Sequence, residues 1–458
     1  MEVMKAMKMQ ILRIKDNSGK PKENFNDISH LTEKIINKDL KQLHKEGIFI
    51  FPEIIKDSSD VSSDQMILKN INDKNITSNI MGIIGYKEEQ LLIESRFSKG
   101  EQDYFLQYML ECVFDSPNIF NLNTTIDSET KIFDLLSYIF PIYLKSAMRK
   151  GLFKTYILNR YNDSNLKGTI DISRHISRNT PFLGNIAYNQ REFSYDNYLM
   201  QLIRHTIEFI KTKSYGNHLL YQEKENVAAV IATTNGYEYY DRRTIIIENK
   251  KNPIRHAYYH EYRSLQQLCI KILQYEKHQM GGGTDEIHGV LFDGAWLWEE
   301  YVNYLIGDQY YHPMNKGHGD SGVQWLLHDS RRDKRDKGMI YPDFIGRDSK
   351  NRIIADAKYK PIGNIDSQDY QQVLSYMFRF DAKKGFYLYP ETNQLESVEL
   401  KLNRGSSYEK NVKPREDISV IQCGLHIPED CSNYEEFKMK IKNSEEKFKK
   451  QVMTTEPM

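Results

Sequence analysis

The sequence predicts a mixed α/β domain at the carboxyl end of the chain, preceded by a helical region and a small amino-terminal α+β unit. The last two hundred residues follow the order helix, strand, strand, helix, strand, which is typical of a mixed sheet flanked by helices. The residues before them carry amphipathic helical patterns, and strand patterns appear within the first hundred residues. A chain of 458 residues is long enough for about two to four domains.

The first hundred residues form the predicted α+β unit. Apolar residues recur at helical spacing over 31–45, and the run 48–51 predicts a strand. Two further apolar segments, 80–86 and 90–94, flank a charged turn and therefore predict a β-hairpin.

Residues 101–255 predict a mainly helical region. Amphipathic patterns indicate helices over 105–113, 132–149 and 198–211. Residues 154–193 alternate polar and apolar side chains around glycines, which predicts loops or short strands.

Residues 256–458 form the predicted α/β domain, with a glycine triplet, 281–283, as a plausible hinge near its beginning. Its elements are predicted as a helix over 294–306, strands over 340–346 and 352–360, a helix over 367–380 and a strand over 385–390. Their order predicts a mixed α/β layer.

Composition excludes several classes of protein. The 63 Lys and Arg residues balance 63 Asp and Glu residues, so the chain is not a polybasic coating protein, although a local basic stripe could still contact phosphates. No run of about 18 apolar residues is present, so we expect no membrane segment. The four cysteines are far apart and suit neither a zinc module nor a disulfide framework, which favours a cytoplasmic location.

Charged residues on two neighbouring predicted strands carry the chemistry. Asp356 and Lys358 are two residues apart on one strand and therefore point to the same face, while Ile353, Ala355 and Ala357 point to the other, into a core. A hairpin would bring Asp343, on the preceding strand, beside Asp356. Two close carboxylates repel each other unless a cation lies between them, and such oxygen ligands suit Mg²⁺.

The pattern Pro342-Asp343 followed by Asp356-Ala357-Lys358 resembles the PD-(D/E)xK nuclease motif. This resemblance implies that Asp343 and Asp356 bind Mg²⁺ and that Lys358 acts as a catalytic base or stabilises charge during phosphodiester hydrolysis. Two supporting residues lie on flanking helices: Glu299, and Gln372, which shares a helix side with Tyr376. The alternative is a surface ion pair between Asp356 and Lys358 on an edge strand.

Several separated segments make the resemblance more specific. The segments 103–110, 167–174, 195–197, 292–389 and 427–431 resemble McrC proteins, the nuclease subunits of modified-cytosine-dependent McrBC restriction systems. The helix after Tyr195 departs from the family, since Met200-Gln201 stands where an Asn is expected. The resemblance implies an endonuclease subunit for double-stranded DNA, with a hexameric McrB-like AAA+ GTPase as partner and residues 101–255 as the region that docks on it.

The chain contains no G-x-x-x-x-G-K-[ST] motif, so a motor must come from another protein. Two alternatives to a nuclease subunit stay open: a non-catalytic DNA-binding adaptor that stimulates the GTPase, and a stand-alone DNA repair nuclease. The base or sequence that triggers cutting is expected to be recognised by the partner.

Two weaker signals precede the first catalytic strand. A charged run supplies candidate DNA contacts, although a solvated loop is an equally good interpretation; its basic side chains include Arg331, Arg332, Lys334 and Arg335. Three histidines, at positions 312, 318 and 328, with Asp320, could suggest a metal site. Their spacing matches no helix or strand face, which favours ordinary loop histidines.

Overall fold

A computed structural model of the chain describes residues 10–46, 48–51, 65–99, 102–114, 128–279, 287–313, 324–329, 336–393 and 396–453. The chain forms two compact units. The first consists of residues 1–132 and 284–458, and the second of residues 133–283. This division differs from the three consecutive segments predicted from the sequence, because a strand from the carboxyl-terminal part belongs to the amino-terminal sheet.

The amino-terminal part contains seven described strands and three α-helices. The strands are β1 (Gln10–Lys15), β2 (Gly19–Pro21), β3 (Ile48–Phe51), β4 (Leu68–Ile71), β5 (Lys74–Thr77), β6 (Ile80–Tyr86) and β7 (Glu89–Glu94). The helices are α1 (Ser29–Ile35), α2 (Leu40–Lys45) and α3 (Tyr104–Val113), and a 3-10 helix spans Lys22–Ile28. The predicted hairpin is confirmed as β6 and β7. The predicted helix over 31–45 is wrong as a single element, since Asn37 adopts a positive φ of 54° and Asp39 caps α2.

The middle of the chain is mostly helical. Its helices are α4 (Ser128–Met148), α5 (Ile172–Arg178), α6 (Tyr198–Lys211), α7 (Gly216–Tyr221), α8 (Lys224–Thr233), α9 (Arg242–Lys251) and α10 (His260–Gln279). Its strands are β8 (Thr155–Asp163), β9 (Thr169–Ile170) and β10 (Ile186–Ser194). The prediction of loops or short strands over 154–193 is wrong in length. The polar–apolar alternation instead forms two nine-residue strands, β8 and β10, that pair antiparallel.

The carboxyl-terminal part contains the predicted α/β layer. Its strands are β11 (His288–Asp293), β12 (Tyr310–Tyr311), β13 (Gln324–His328), β14 (Asp336–Ile340), β15 (Phe344–Gly346), β16 (Ile353–Ala357), β17 (Lys384–Glu391), β18 (Val398–Arg404) and β19 (Lys413–His426). Its helices are α11 (Gly294–Ile306), α12 (Ser367–Arg379) and α13 (Tyr434–Met453). The mixed α/β fold class is confirmed. The predicted glycine hinge, 281–283, lies outside the described residues.

The six-stranded mixed sheet has the order β12-β15-β16-β17-β19-β18. The central strands β16, β17 and β19 are parallel, whereas β15 pairs antiparallel with β16. Helices α11 and α12 both contact β16, so this strand is buried on both faces. Ile353 and Ala355 are buried, as predicted. Ile354, on the face of Asp356, is fully buried against α12.

The predicted strand over 340–346 is interrupted in the structure. Strand β14 ends at Ile340, and β15 begins at Phe344. Pro342 lies between them, and a proline has no N–H group to donate to a strand partner. As a result Asp343 lies in the turn immediately before β15 rather than within a strand.

The amino-terminal sheet has the order β1-β7-β6-β11-β3. Strand β11 pairs antiparallel with β6 and parallel with β3, which makes it a central strand of this sheet. Gly82 permits the close pairing of β6 with β11, because its φ is +138° and a Cβ atom there would lie 2.2 Å from the Val290 carbonyl oxygen. The segment that leads into α11 thus completes the amino-terminal sheet.

Candidate active site

Asp343 and Asp356 meet at the carboxyl end of β16. The register pairs Phe344 with Ala355, so the turn residue Asp343 comes opposite Asp356. The Ala357 N–H group donates a hydrogen bond of 2.9 Å to Asp343 Oδ2. Asp356 itself is 1% exposed. The predicted adjacency of the two carboxylates is therefore what the strand pairing produces.

Lys358 lies against the same group of residues. Its Nζ is 2.7 Å from Asp356 Oδ2 and 3.6 Å from Asp369 Oδ1. Lys358 Nζ also donates a hydrogen bond of 3.1 Å to Gln372 Oε1, and Gln372 Nε2 in turn donates to the Tyr376 hydroxyl at 2.6 Å. Helix α12 begins with a capping box formed by Asp366 and Asp369, and it presents Gln372 one turn further on.

The alternative of a surface ion pair on an edge strand does not fit this geometry. Strand β16 lies inside the sheet, and the Asp356 and Lys358 side chains are 1% and 18% exposed. Burial raises the pKa of Asp356 to about 7, although Lys358 lowers it, and the nearby Asp343 raises it further. Burial alone would lower the pKa of Lys358, but Asp356 and Asp343 outweigh it and raise that pKa, so Lys358 is protonated. A buried carboxylate beside a second carboxylate is a site at which a cation is favourable.

The donor set is compatible with Mg²⁺. Within the described ranges, no group of three or more His, Cys, Asp or Glu side chains is arranged to hold a metal ion. Mg²⁺ commonly takes only one or two carboxylates and keeps several water molecules, so Asp343 and Asp356 are a sufficient protein contribution. In addition, the buried Asp356 Oδ2 accepts no well-aligned hydrogen bond among the described residues, despite its ion pair with Lys358.

Glu299 is connected to this cluster through His312. Glu299 is buried on α11, and its Oε1 lies 3.7 Å from His312 Nε2. The other ring nitrogen, Nδ1, donates a hydrogen bond of 2.7 Å to the Asp343 carbonyl oxygen, and the ring stacks on Phe344. Burial lowers the pKa of His312, but Glu300, Glu299 and the Asp343 carbonyl outweigh it and raise the pKa to about 9. A positively charged His312 therefore supports the turn that carries Asp343.

The contacts of His312 with Asp343 and Glu299 were not predicted from the sequence. Its partners lie about a dozen positions before it and about thirty positions after it, and no local spacing connects them. Of the residues that the sequence grouped with it, His328 pairs with Asp336 on the exposed hairpin of β13 and β14. His318 and Asp320 lie outside the described residues, as do the candidate DNA contacts Arg331, Arg332, Lys334 and Arg335.

None of the helices in the described part of the chain combines the length and apolar composition of a membrane-spanning segment.

Two solved structures from Thermococcus gammatolerans resemble the chain. A refined half-complex from a tetradecameric assembly of McrB AAA+ hexamers with bound McrC matches with 14% identity and a TM-score of 0.46, over 95% of this chain and 100% of that chain. A cryo-EM structure of the McrBC complex matches with 12% identity and a TM-score of 0.29, over 65% of this chain and 87% of that chain.

No curated protein matches the chain. A family model does match it, and its description is McrBC 5-methylcytosine restriction system component. The match covers residues 76–390, which is more than half of the chain and includes the whole cluster from Glu299 to Gln372. The chain therefore belongs to the family of McrBC 5-methylcytosine restriction system components.

Proposed function

We propose that the chain is the DNA endonuclease subunit of an McrBC-type restriction system and hydrolyses phosphodiester bonds with Mg²⁺ at a PD-(D/E)xK site. The observation that carries this proposal is the cluster that Asp343, Lys358 and Gln372 form around the buried Asp356 at the end of β16. A purely structural ion pair between Asp356 and Lys358 would not need a second carboxylate beside it, because two close carboxylates repel each other. Membership of a restriction-system family supports the same conclusion.

Each member of the cluster has a distinct task in this proposal. Asp343 and Asp356 would hold Mg²⁺, which when bound polarises a phosphodiester and lowers the pKa of a water molecule. Lys358, which is protonated and held by Asp356 and Gln372, stabilises negative charge that develops on the phosphate. This favours charge stabilisation over general-base catalysis for Lys358. His312 and Glu299 hold the turn of Asp343 in place.

We further propose that the active complex includes a hexameric McrB-like AAA+ GTPase, and that the middle of the chain docks on it. The family membership supports such a partner. The second unit also exposes large apolar side chains around α5 and β8, which are typical of an interaction surface. These residues, with exposures between 60% and 87%, are Leu158, Ile172, Ile176, Phe182 and Leu183. Modified cytosine would then be recognised mainly by the partner, in the cytoplasm of the cell.

The test is reconstitution of the purified chain with its cognate AAA+ subunit. With GTP, Mg²⁺ and double-stranded DNA that contains 5-methylcytosine, we expect cleavage that is lost in the Asp343→Ala variant. If Asp343→Ala still stimulates the partner's GTPase, as we expect, the defect lies in the chemistry and not in assembly. A wild-type chain that stimulates the GTPase but never cuts would favour the non-catalytic adaptor.

A further inference from the structure

Tyr359 joins the proposed catalytic strand to the amino-terminal sheet. It directly follows Lys358, and it is 5% exposed. Its hydroxyl shares a hydrogen bond of 2.7 Å with Ser95 Oγ and donates to Met81 Sδ at 3.2 Å. The ring also packs edge-on against Phe97, with ring centroids 5.0 Å apart. The side chain next to Lys358 is therefore held by residues more than 250 positions earlier in the chain.

The residues that hold Tyr359 are themselves fixed by buried carboxylates. Asp103, which caps α3, accepts the Ser95 N–H group with its second oxygen. Asp16 accepts the Arg96 N–H at 2.6 Å and Arg96 Nε at 2.9 Å. The Arg96 guanidinium carbon in turn lies 4.9 Å from the centroid of the Tyr359 ring. Asp16, Ser95 and Asp103 are fully buried, so the groups that support Tyr359 are inaccessible to solvent.

The segment around Lys358 is held at three successive residues, two through the backbone and one through a side chain. The Ala357 N–H donates to Asp343 Oδ2, and the Lys358 N–H donates to the Leu388 carbonyl oxygen at 2.8 Å. Tyr359 is the third point, and it is the one that depends on the amino-terminal sheet. Lys358 thus keeps a backbone bond to β17, although β16 itself ends at Ala357. The Tyr359 contact therefore adds a constraint from the amino-terminal sheet to those that Asp356 and Gln372 place directly on the Lys358 side chain.

We propose that Tyr359 is a positioning residue, and that the amino-terminal sheet, through Ser95, sets Lys358 against Asp356 for phosphodiester hydrolysis. The inference rests on the proposed nuclease function, and it assigns the first hundred residues a direct part in cleavage in addition to any role in assembly. A displacement of about 1 Å in a catalytic group can cost up to about 100-fold in rate. A contact of this kind can therefore control turnover without touching DNA.

The experiment uses the full chain and two conservative substitutions that remove the same hydrogen bond, Tyr359→Phe and Ser95→Ala, singly and together. Tyr262→Phe is the matched control, because it also removes a buried tyrosine hydroxyl, whose bond goes to the Gly151 carbonyl in the second unit. Hydrogen exchange of peptides that span 355–361 is measured on the metal-free chain. Cleavage of 5-methylcytosine DNA, with kcat and KM determined separately, is measured with the AAA+ partner, GTP and Mg²⁺.

We expect faster exchange over 355–361 in both single variants. Their kcat should be reduced, by up to about 10-fold, whereas KM for DNA and stimulation of the partner's GTPase should be unchanged. The double variant should be no worse than the worse single variant, because both changes remove one shared bond. Tyr262→Phe should leave exchange at 355–361 and kcat as in the wild type.

Three results would overturn the inference. Unchanged exchange over 355–361 in Tyr359→Phe would show that the bond does not hold the segment, whether or not the chain cuts DNA. Faster exchange with wild-type kcat would show that the bond holds the segment without affecting catalysis. A wild-type chain that does not cut under these conditions would refute the proposed function, and the inference about catalysis with it.

Discussion

Replacing Asp356 by asparagine should stabilise the metal-free protein at neutral pH. The pKa of Asp356 is about 7 in the folded chain, against an ordinary value of 3.8, so the folded state binds this proton more tightly than the unfolded state. Stability must then fall as the pH rises from about 4 to about 7. The gap between the two pKa values corresponds to at most about 4 kcal/mol at pH 8.

The asparagine variant does not recover all of this free energy. Asparagine has nearly the same shape but no charge, so Lys358 loses the partner at 2.7 Å. Lys358 keeps its hydrogen bond to Gln372 and remains 3.6 Å from Asp369, which limits that loss. We therefore expect a net stabilisation of about 1–2 kcal/mol at pH 8, since the remaining partners prevent the larger penalty of an unpaired buried charge.

Thermal unfolding of wild type and Asp356→Asn between pH 5 and pH 8, with EDTA or with Mg²⁺, measures both effects. The higher stability of the variant relative to wild type should diminish as the pH is lowered from 7 towards 4. At pH 8, Mg²⁺ should raise the Tm of the wild type but not that of the variant. An Asp356→Asn chain that is less stable than wild type at pH 8, or an advantage that does not change with pH, would refute this reasoning.

Three further outcomes are expected. The chain alone should neither hydrolyse GTP nor cut DNA efficiently, and adding the AAA+ subunit should produce GTP-dependent cutting; rapid cleavage with Mg²⁺ alone would favour a stand-alone nuclease. Burial lowers the pKa of His205 from 6.5 to about 4, so the free energy of unfolding of the second unit should fall by up to about 3 kcal/mol as the pH falls from 6.5 to 4. In denaturant titrations, His205→Leu should make that free energy less dependent on pH over this range. An unchanged pH dependence in the variant would contradict this. A 284–458 fragment should be insoluble alone and soluble when co-expressed with 1–132, because β11 completes the amino-terminal sheet; a soluble, folded fragment alone would contradict it.

Elements with a strong local pattern could be predicted from the sequence. The helices over 198–211 and 294–306 have the predicted bounds, because each begins at a capping side chain and carries a continuous apolar face. The shared face of Asp356 and Lys358 follows from the two-residue period of a strand. The proximity of Asp343 to Asp356 could be predicted because it required only a short hairpin. The two residues lie close together even though the strand is interrupted at Pro342.

Long-range pairing could not be predicted in this way. The pairing of β11 with β3 and β6 joins residues about 200 positions apart, and a strand's own sequence does not specify its partner. Gly82 and Gly289 were the available signal, since a Cβ atom at either position would collide with the backbone of the neighbouring strand. The contacts of Tyr359 depend on the same sheet, so they could not be predicted from the sequence either.

The measurement that tests the central claim most directly is cleavage of 5-methylcytosine DNA by the complete complex with GTP, using wild type and Asp356→Ala. We predict double-strand cleavage that requires Mg²⁺ for the wild type, and a rate lower by about 10³-fold or more for the variant, since loss of a metal ligand removes several kcal/mol of transition-state stabilisation. The partner's GTPase should be stimulated equally by both chains. Cleavage by Asp356→Ala at a rate near that of the wild type, or wild-type cleavage that persists in EDTA, would contradict the assignment of this cluster as the active site.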